Sequence, residues 1–244
     1  MVFVIYYSFT NENGTFSFQN FLDIKNYSKI FVRTIFLSIL STFLCFLIGY
    51  PTSYAISKLS KKAQKVVISG IMLQMWISIL LTTYSLITML ESNGIINKIF
   101  TFFSGNELTI INTSTAVLIG EVYSSLPFMI LPIYSSLSKL DYKVIEAAQD
   151  LGANKWTIFS KVIFPMSKSG IISGLIMTLS PNMSSFIFSK MLGGNENILI
   201  GEVIELKFLG SLYYPWTGSS LAMILVIFIF LCNGIIMSYD IKND

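Results

Sequence analysis

Three groups of residues in this chain have types and spacings that could do more than fill a core. The first is Glu146-Ala-Ala-Gln-Asp-Leu-Gly-Ala-Asn-Lys-Trp-Thr-Ile-Phe-Ser-Lys-Val-Ile-Phe-Pro165, a polar, amphipathic segment between long apolar runs. Val144, Ala147, Ala148 and Leu151 recur at i, i+3, i+4 and i+7, one stripe of a short helix, with Glu146, Gln149 and Asp150 on the other side. Gly152 stands where that helix would end in a left-handed residue. Trp156, Phe159 and Ile163 begin a second stripe, which Pro165 limits. Two short helices with a sharp turn between them make a knob. Its Ala-Ala and Gly elements favour close approach of another protein, and Glu146 and Asp150 would be repelled by anionic headgroups. The chemistry expected of it is docking.

The second group is Glu121, the one charge in the apolar run 114–138. An ionised acid at the centre of a bilayer costs about 2.5–3.5 kcal/mol on insertion scales, so this one must face protein or water. It could meet a cationic solute or a proton, or sit in an interior hydrogen-bond network. The third group is Pro181-Asn-Met-Ser-Ser185, polar and helix-breaking inside another apolar run. Unwound backbone at membrane depth is tolerated where it lines a cavity, and such breaks mark transport paths. The alternative is a proline kink whose freed carbonyls are satisfied by Ser184 and Ser185. Thr82, Thr83 and Tyr84 form a smaller polar island. Tyr84, Glu121, Pro181, Asn182, Ser184 and Ser185 are therefore the candidate lining of a translocation pathway.

The elements that must position these residues are membrane helices. Of 244 residues, 53% are hydrophobic and only 12% charged, about half the charge usual in a soluble domain. Apolar windows at 34–57, 66–90, 114–138, 170–189 and 217–239 each reach the roughly 20 residues that a span requires. The expected fold is all-α, a polytopic membrane helical bundle with five complete spans. The apolar start of the chain is too short to span and lacks the pattern of a signal peptide, and is read as the outer end of a truncated first helix.

Lysines orient the bundle. Lys58, Lys61, Lys62 and Lys65 crowd one connection, and Lys139, Lys143, Lys155, Lys161 and Lys168 crowd the stretch that holds the knob. Lys25, Lys29 and Arg33 are an exception, but the majority place the knob in the cytoplasm. The net charge of +3 thus concerns topology rather than nucleic acid. Cys45 and Cys232 are far apart and suggest neither a disulfide framework nor a metal site. With no histidine there is no Ser-His or Cys-His nucleophile, and with no Gly-Lys dipeptide there is no P-loop. No catalytic or metal-ligating residue is expected, and ATP would have to be hydrolysed elsewhere.

Glu146-Ala-Ala, Gly152 and the downstream Pro165 resemble the EAA loop of type-1 ABC importer permeases, which depend on a binding protein. The segments Leu126-Pro-Phe-Met-Ile-Leu-Pro-Ile-Tyr134, Leu192-Gly-Gly194, Ile200-Gly201, Pro215-Trp-Thr-Gly-Ser219 and Gly49-Tyr-Pro-Thr-Ser-Tyr-Ala55 are similar to the spermidine/putrescine subgroup. The resemblance implies a permease domain over residues 30–239 with its coupling loop at 141–165, preceded by a helix remnant and outer loop at 1–29 and followed by a cytoplasmic tail at 240–244. It implies that Glu146, Ala147, Ala148, Gly152, Ala153 and Pro165 couple to a cytoplasmic ABC ATPase dimer. It also implies a second permease subunit, an extracytoplasmic substrate-binding protein and a setting in membrane lipid. ATP and Mg would be held by the ATPase, with no cofactor in this chain.

Two departures bear on the cargo. Ser185 stands before Phe186 where the subgroup tends to have an acid, and Thr82-Thr83-Tyr84 stands where it tends to have Arg-Thr-Tyr. Glu121 could supply the missing negative charge. The expected function is a cell-membrane permease subunit of an ATP-driven importer, for polyamines or, alternatively, another small solute. An ion-coupled secondary transporter would need no ATPase. A membrane enzyme would need a catalytic constellation that the sequence does not offer.

Overall fold

The computed structural model describes residues 2–11, 14–104, 109–210 and 213–241. Its principal helices are α1 (Val2–Ser8), α2 (Ser28–Ser57), α3 (Lys61–Met75), α4 (Ile79–Leu90), α5 (Ile95–Ser104) and α6 (Ser114–Ser138). They continue with α7 (Tyr142–Asp150), α8 (Lys155–Met166), α9 (Lys168–Ser184), α10 (Ile200–Leu209) and α11 (Pro215–Ile241). The described residues hold no strand beyond one isolated bridge, Thr10 to Phe16.

Among the described residues, four helical stretches are long and apolar enough to cross a membrane: Gln19–Ser57, Ile79–Phe102, Ser114–Ser138 and Pro215–Ser238. A fifth follows if α8 and α9, bent by 60° at Ser167, count as one broken span. The expected span at 66–90 is corrected. Helix α3 ends at Met75, where the Trp76 amide turns back to the Leu73 carbonyl, and Ser78 adopts an extended backbone before α4 begins. The break falls in an apolar Trp-Ile-Ser sequence without glycine or proline, so hydropathy runs straight through it. The apolar run then continues from α4 into α5.

The chain divides into two compact units. Unit 1 comprises Met1–Ser41, Ser78–Ser124 and Ser180–Cys232; unit 2 comprises Thr42–Ile77, Ser125–Leu179 and Asn233–Asp244. In unit 1 the core gathers Leu37, Leu90, Ala116, Val117, Phe188, Leu192 and Leu199. The Thr34 hydroxyl accepts from the Ile200 amide at 2.9 Å and so satisfies an open donor at the start of α10. Helix α10 is thereby drawn inward, with Ile200, Gly201, Glu202 and Val203 all buried.

In unit 2, small residues bring backbones together where the hydrophobic effect cannot. A β-carbon on Gly170 would lie 2.7 Å from the Pro132 carbonyl oxygen, and one on Gly49 would lie 2.9 Å from Met129. Helices α2 and α9 both pack on α6 through such glycines, and the Ser53 hydroxyl reaches the Ile130 carbonyl at 3.0 Å.

Candidate functional site

The knob is built by local chemistry. The Asp141 carboxylate accepts from the Lys143 amide at 3.0 Å and caps α7 at its start. At the other end the Gly152 amide donates to the Gln149 carbonyl at 2.8 Å and the Ala153 amide to the Ala148 carbonyl at 3.0 Å. This is a Schellman closure, and Gly152 supplies its left-handed residue at φ 78°. Asn154 then caps α8 by accepting from the Thr157 amide at 2.8 Å. Two helices and a sharp turn are what the residue spacing predicts.

The apolar stripe of α7 faces away from unit 2. Leu151 is 89% exposed and Val144 and Ala147 are also exposed, leaving Ala148 as the one partly buried member. Glu146 and Trp156 are exposed beside them, and Ala153 is half-buried. Pro165 does not end its helix as expected. It lies inside α8, and the turn before it, Phe159–Ile163, is π-helical. A proline removes the amide that would bond four residues back, and a widened turn accommodates that loss. The chain turns instead at Ser167, whose hydroxyl donates to the Phe164 carbonyl at 2.9 Å.

Residue spacing alone missed what joins the knob to α2. Tyr50 and Tyr54 each pack edge-on against Phe159, with ring centroids 5.9 and 5.7 Å apart. Trp156 stacks on Phe159 and Tyr50 also meets Phe164. Because the Ser167 proton is directed to Phe164, the Tyr50 hydroxyl is the donor to Ser167 at 3.1 Å. The i, i+4 spacing of Tyr50 and Tyr54 was the available signal. This aromatic cluster makes the knob and the end of α2 one packed body.

The pathway candidates lie in unit 1, and the structure brings some of them together. Glu121 is fully buried, and neither carboxylate oxygen has a hydrogen-bond partner among the described residues. The Ser41 hydroxyl faces it but donates to the Ser38 carbonyl at 3.1 Å and accepts from the Asn182 amide group at 2.9 Å. Glu121, Ser41 and Asn182 therefore form a buried polar cluster with an unfilled acceptor. Tyr84, Pro181 and Ser184 are exposed, and Ser185 is half-buried.

Pro181 does not interrupt its helix as expected. Helix α9 runs through it to Ser184, and the backbone leaves helical form at Ser185 and Phe186. The Ser184 hydroxyl bonds back to the Ser180 and Pro181 carbonyls, each at 3.2 Å. The unwound turn lies against Gly201, where a β-carbon would come within 2.6 Å of the Ser185 carbonyl oxygen and 2.8 Å of the Ser184 oxygen. Backbone cannot yield as a flexible side chain can. Gly201→Ala should therefore destabilise the chain by about 1–3 kcal/mol, read as a fall in thermal unfolding temperature in detergent.

A second polar joint anchors α10. The Ser189 hydroxyl donates to Glu202 at 2.6 Å, and Lys190 pairs with Glu205 at 2.8 Å. Burial pushes the Glu202 carboxyl above its ordinary range, opposed by the Ser189 hydrogen bond and Lys190. The fold thus favours the protonated acid, and its stability contribution is lost as pH rises from the ordinary carboxylate range through the raised value. Hydrogen exchange in α10 should be faster at neutral than at mildly acidic pH after correction for intrinsic rates, and the difference should vanish in Glu202→Gln.

A helical bundle with several apolar spans, a fully buried acid in one of them and an exposed helical knob is the architecture of a polytopic membrane protein. Residues 30–239 match the family described as binding-protein-dependent transport system inner membrane component, and the chain belongs to that family. It is an ABC importer permease subunit, a multi-pass protein of the cytoplasmic membrane, and not an enzyme.

Among its relatives, the spermidine/putrescine transport system permease protein PotB of Haemophilus influenzae is 35% identical over 242 residues, covering 93% of this chain and 85% of that protein. PotB of Escherichia coli is 33% identical over 196 residues, covering 80% and 71%. The fold matches a bacterial ABC transporter involved in the import of the acidic polysaccharide alginate, with TM-score 0.79, 16% identity and coverage of 97% and 88%. It also matches the MetNI methionine ABC transporter in an inward-facing conformation, with TM-score 0.66, 18% identity and coverage of 87% and 93%.

Proposed function

We propose that this permease subunit serves the import of polyamines, spermidine or putrescine, driven by ATP hydrolysis on a separate subunit. The observation that carries the reading is identity of 35% over 93% of the chain to a spermidine/putrescine permease. The partners are a cytoplasmic ABC ATPase dimer, a second permease and an extracytoplasmic substrate-binding protein. ATP and Mg belong to the ATPase.

Coupling is assigned to Glu146, Ala147, Ala148, Gly152, Ala153 and Pro165. The exposed Val144, Ala147 and Leu151 support this, since an apolar stripe turned outward on a capped helix suits a partner's groove. Substrate passage is assigned to unit 1, where Glu121 and Asn182 would be the polar contacts for an ammonium group. Tyr84, Pro181, Ser184 and Ser185 would complete the path. The neutral Ser185 favours a second reading, the same machinery carrying a less cationic solute.

Labelled spermidine, putrescine and uncharged competitors, offered to cells expressing the complete transporter, separate the two. Uptake inhibited by polyamines alone supports the first; uptake insensitive to them removes it. Loss of ATPase co-purification in Gly152 variants would further distinguish this machinery from an ion-coupled carrier.

A further inference from the structure

The strongest unassigned feature is a cavity of about 330 Å³ within unit 2, behind the coupling helix α7. Its polar wall consists of Ser57 and Lys58 at the end of α2, Gln149 on α7 and Lys155 on α8. Its apolar wall comes from Leu137, near the end of α6, and from isoleucines of α7 and α8. No carboxylate lines it, and neither lysine has an ion-pair partner among the described residues. The Lys58 ammonium lies 4.0 Å above the Tyr54 ring, which holds that charge at the wall. The Ser57 hydroxyl donates to the Tyr54 carbonyl at 2.8 Å, which leaves two lysines without an ion-pair partner among the described residues, and the Gln149 amide, as the polar groups beside apolar side chains. That set suits an anion attached to a hydrocarbon.

The cavity's depth narrows the choice. Helices α2 and α6 both belong to stretches of membrane-spanning length, and it is their C-terminal ends that line the cavity. Lysine-rich connections follow both ends, which sets this level at the cytoplasmic headgroups. The volume lies at the small end of ligand pockets, roughly 300–1,000 Å³. We propose that this cavity binds the phosphate-bearing headgroup of an anionic membrane lipid, with Lys58 and Lys155 on the phosphate and the acyl chains leaving along the apolar wall. A lipid there would brace α7 and α8 against the ends of α2 and α6. The site does not depend on which solute is carried.

The test uses the complete transporter in nanodiscs of phosphatidylcholine with increasing phosphatidylglycerol. Bound phosphatidylglycerol is counted by mass spectrometry after extraction, a readout independent of transport. Each lysine near an anionic surface contributes about a fivefold effect, so Lys58→Gln with Lys155→Gln should weaken binding of one lipid by roughly 25-fold. Replacing both by Arg should retain it, and Lys61→Gln with Lys62→Gln, outside the cavity, should leave that lipid in place. Unchanged retention in the Gln pair, or equal loss in the Lys61 and Lys62 control, overturns the proposal. Displacement of the lipid by inorganic phosphate would assign the cavity to a soluble anion instead. Loss of the ATPase from the Gln pair in lipid-free detergent would assign the lysines to a partner's carboxylate, and also overturns it.

Discussion

Gly152→Asp should abolish uptake while leaving the chain inserted and folded. At φ 78° Gly152 closes the turn between α7 and α8, and an L-residue there costs about 1–2 kcal/mol. Space is not the obstacle, because none of the described residues lies within 4 Å of where a β-carbon would sit. The larger effect comes from the partner. On this account the turn enters the ATPase groove, where an uncompensated charge costs about 3–5 kcal/mol and weakens association on the order of 100-fold or more. Gly152→Asn, neutral and tolerant of the left-handed region, should retain most association; Gly152→Val should lose more of it. ATPase co-purification together with uptake separates these outcomes. Full association in the Asp variant would remove the turn from the interface.

Glu121→Gln should lower polyamine uptake by roughly 10- to 100-fold, the loss of one charge-assisted hydrogen bond to an ammonium group of about 1.5–3 kcal/mol. Assembly with the other subunits should persist. Glu121→Leu makes a stronger statement. The carboxyl is fully buried without a hydrogen-bond partner among the described residues, so an apolar side chain of similar volume should raise the unfolding temperature while uptake is lost. Unchanged uptake in Glu121→Gln would take this acid out of the pathway.

What the sequence made legible was mostly local. The cap, the left-handed glycine and the two short helices of the knob are set by neighbours within a few residues, and they were readable from 141–165. The direction of the α7 stripe was not, because which face packs depends on Tyr50, Tyr54 and the ends of α2 and α6, all distant in sequence. Hydropathy located the apolar mass but not the break at Trp76–Ser78, where every residue suits a helix in lipid. Pro181 was expected to break its helix. The helix instead unwinds at Ser185, where Gly201 comes close to the backbone, a contact between segments that no local rule predicts. Glu121 stood out by charge alone, but its orphaned carboxyl and the Ser41–Asn182 bond beside it required three helices to meet.

The most direct test of the account is uptake of labelled spermidine into proteoliposomes that contain this chain with its ATPase and second permease. The binding protein is placed outside and ATP inside. Accumulation that requires both ATP and the binding protein, and disappears in Gly152→Asp, is the predicted result. Accumulation driven by a proton or sodium gradient without ATP would contradict the account.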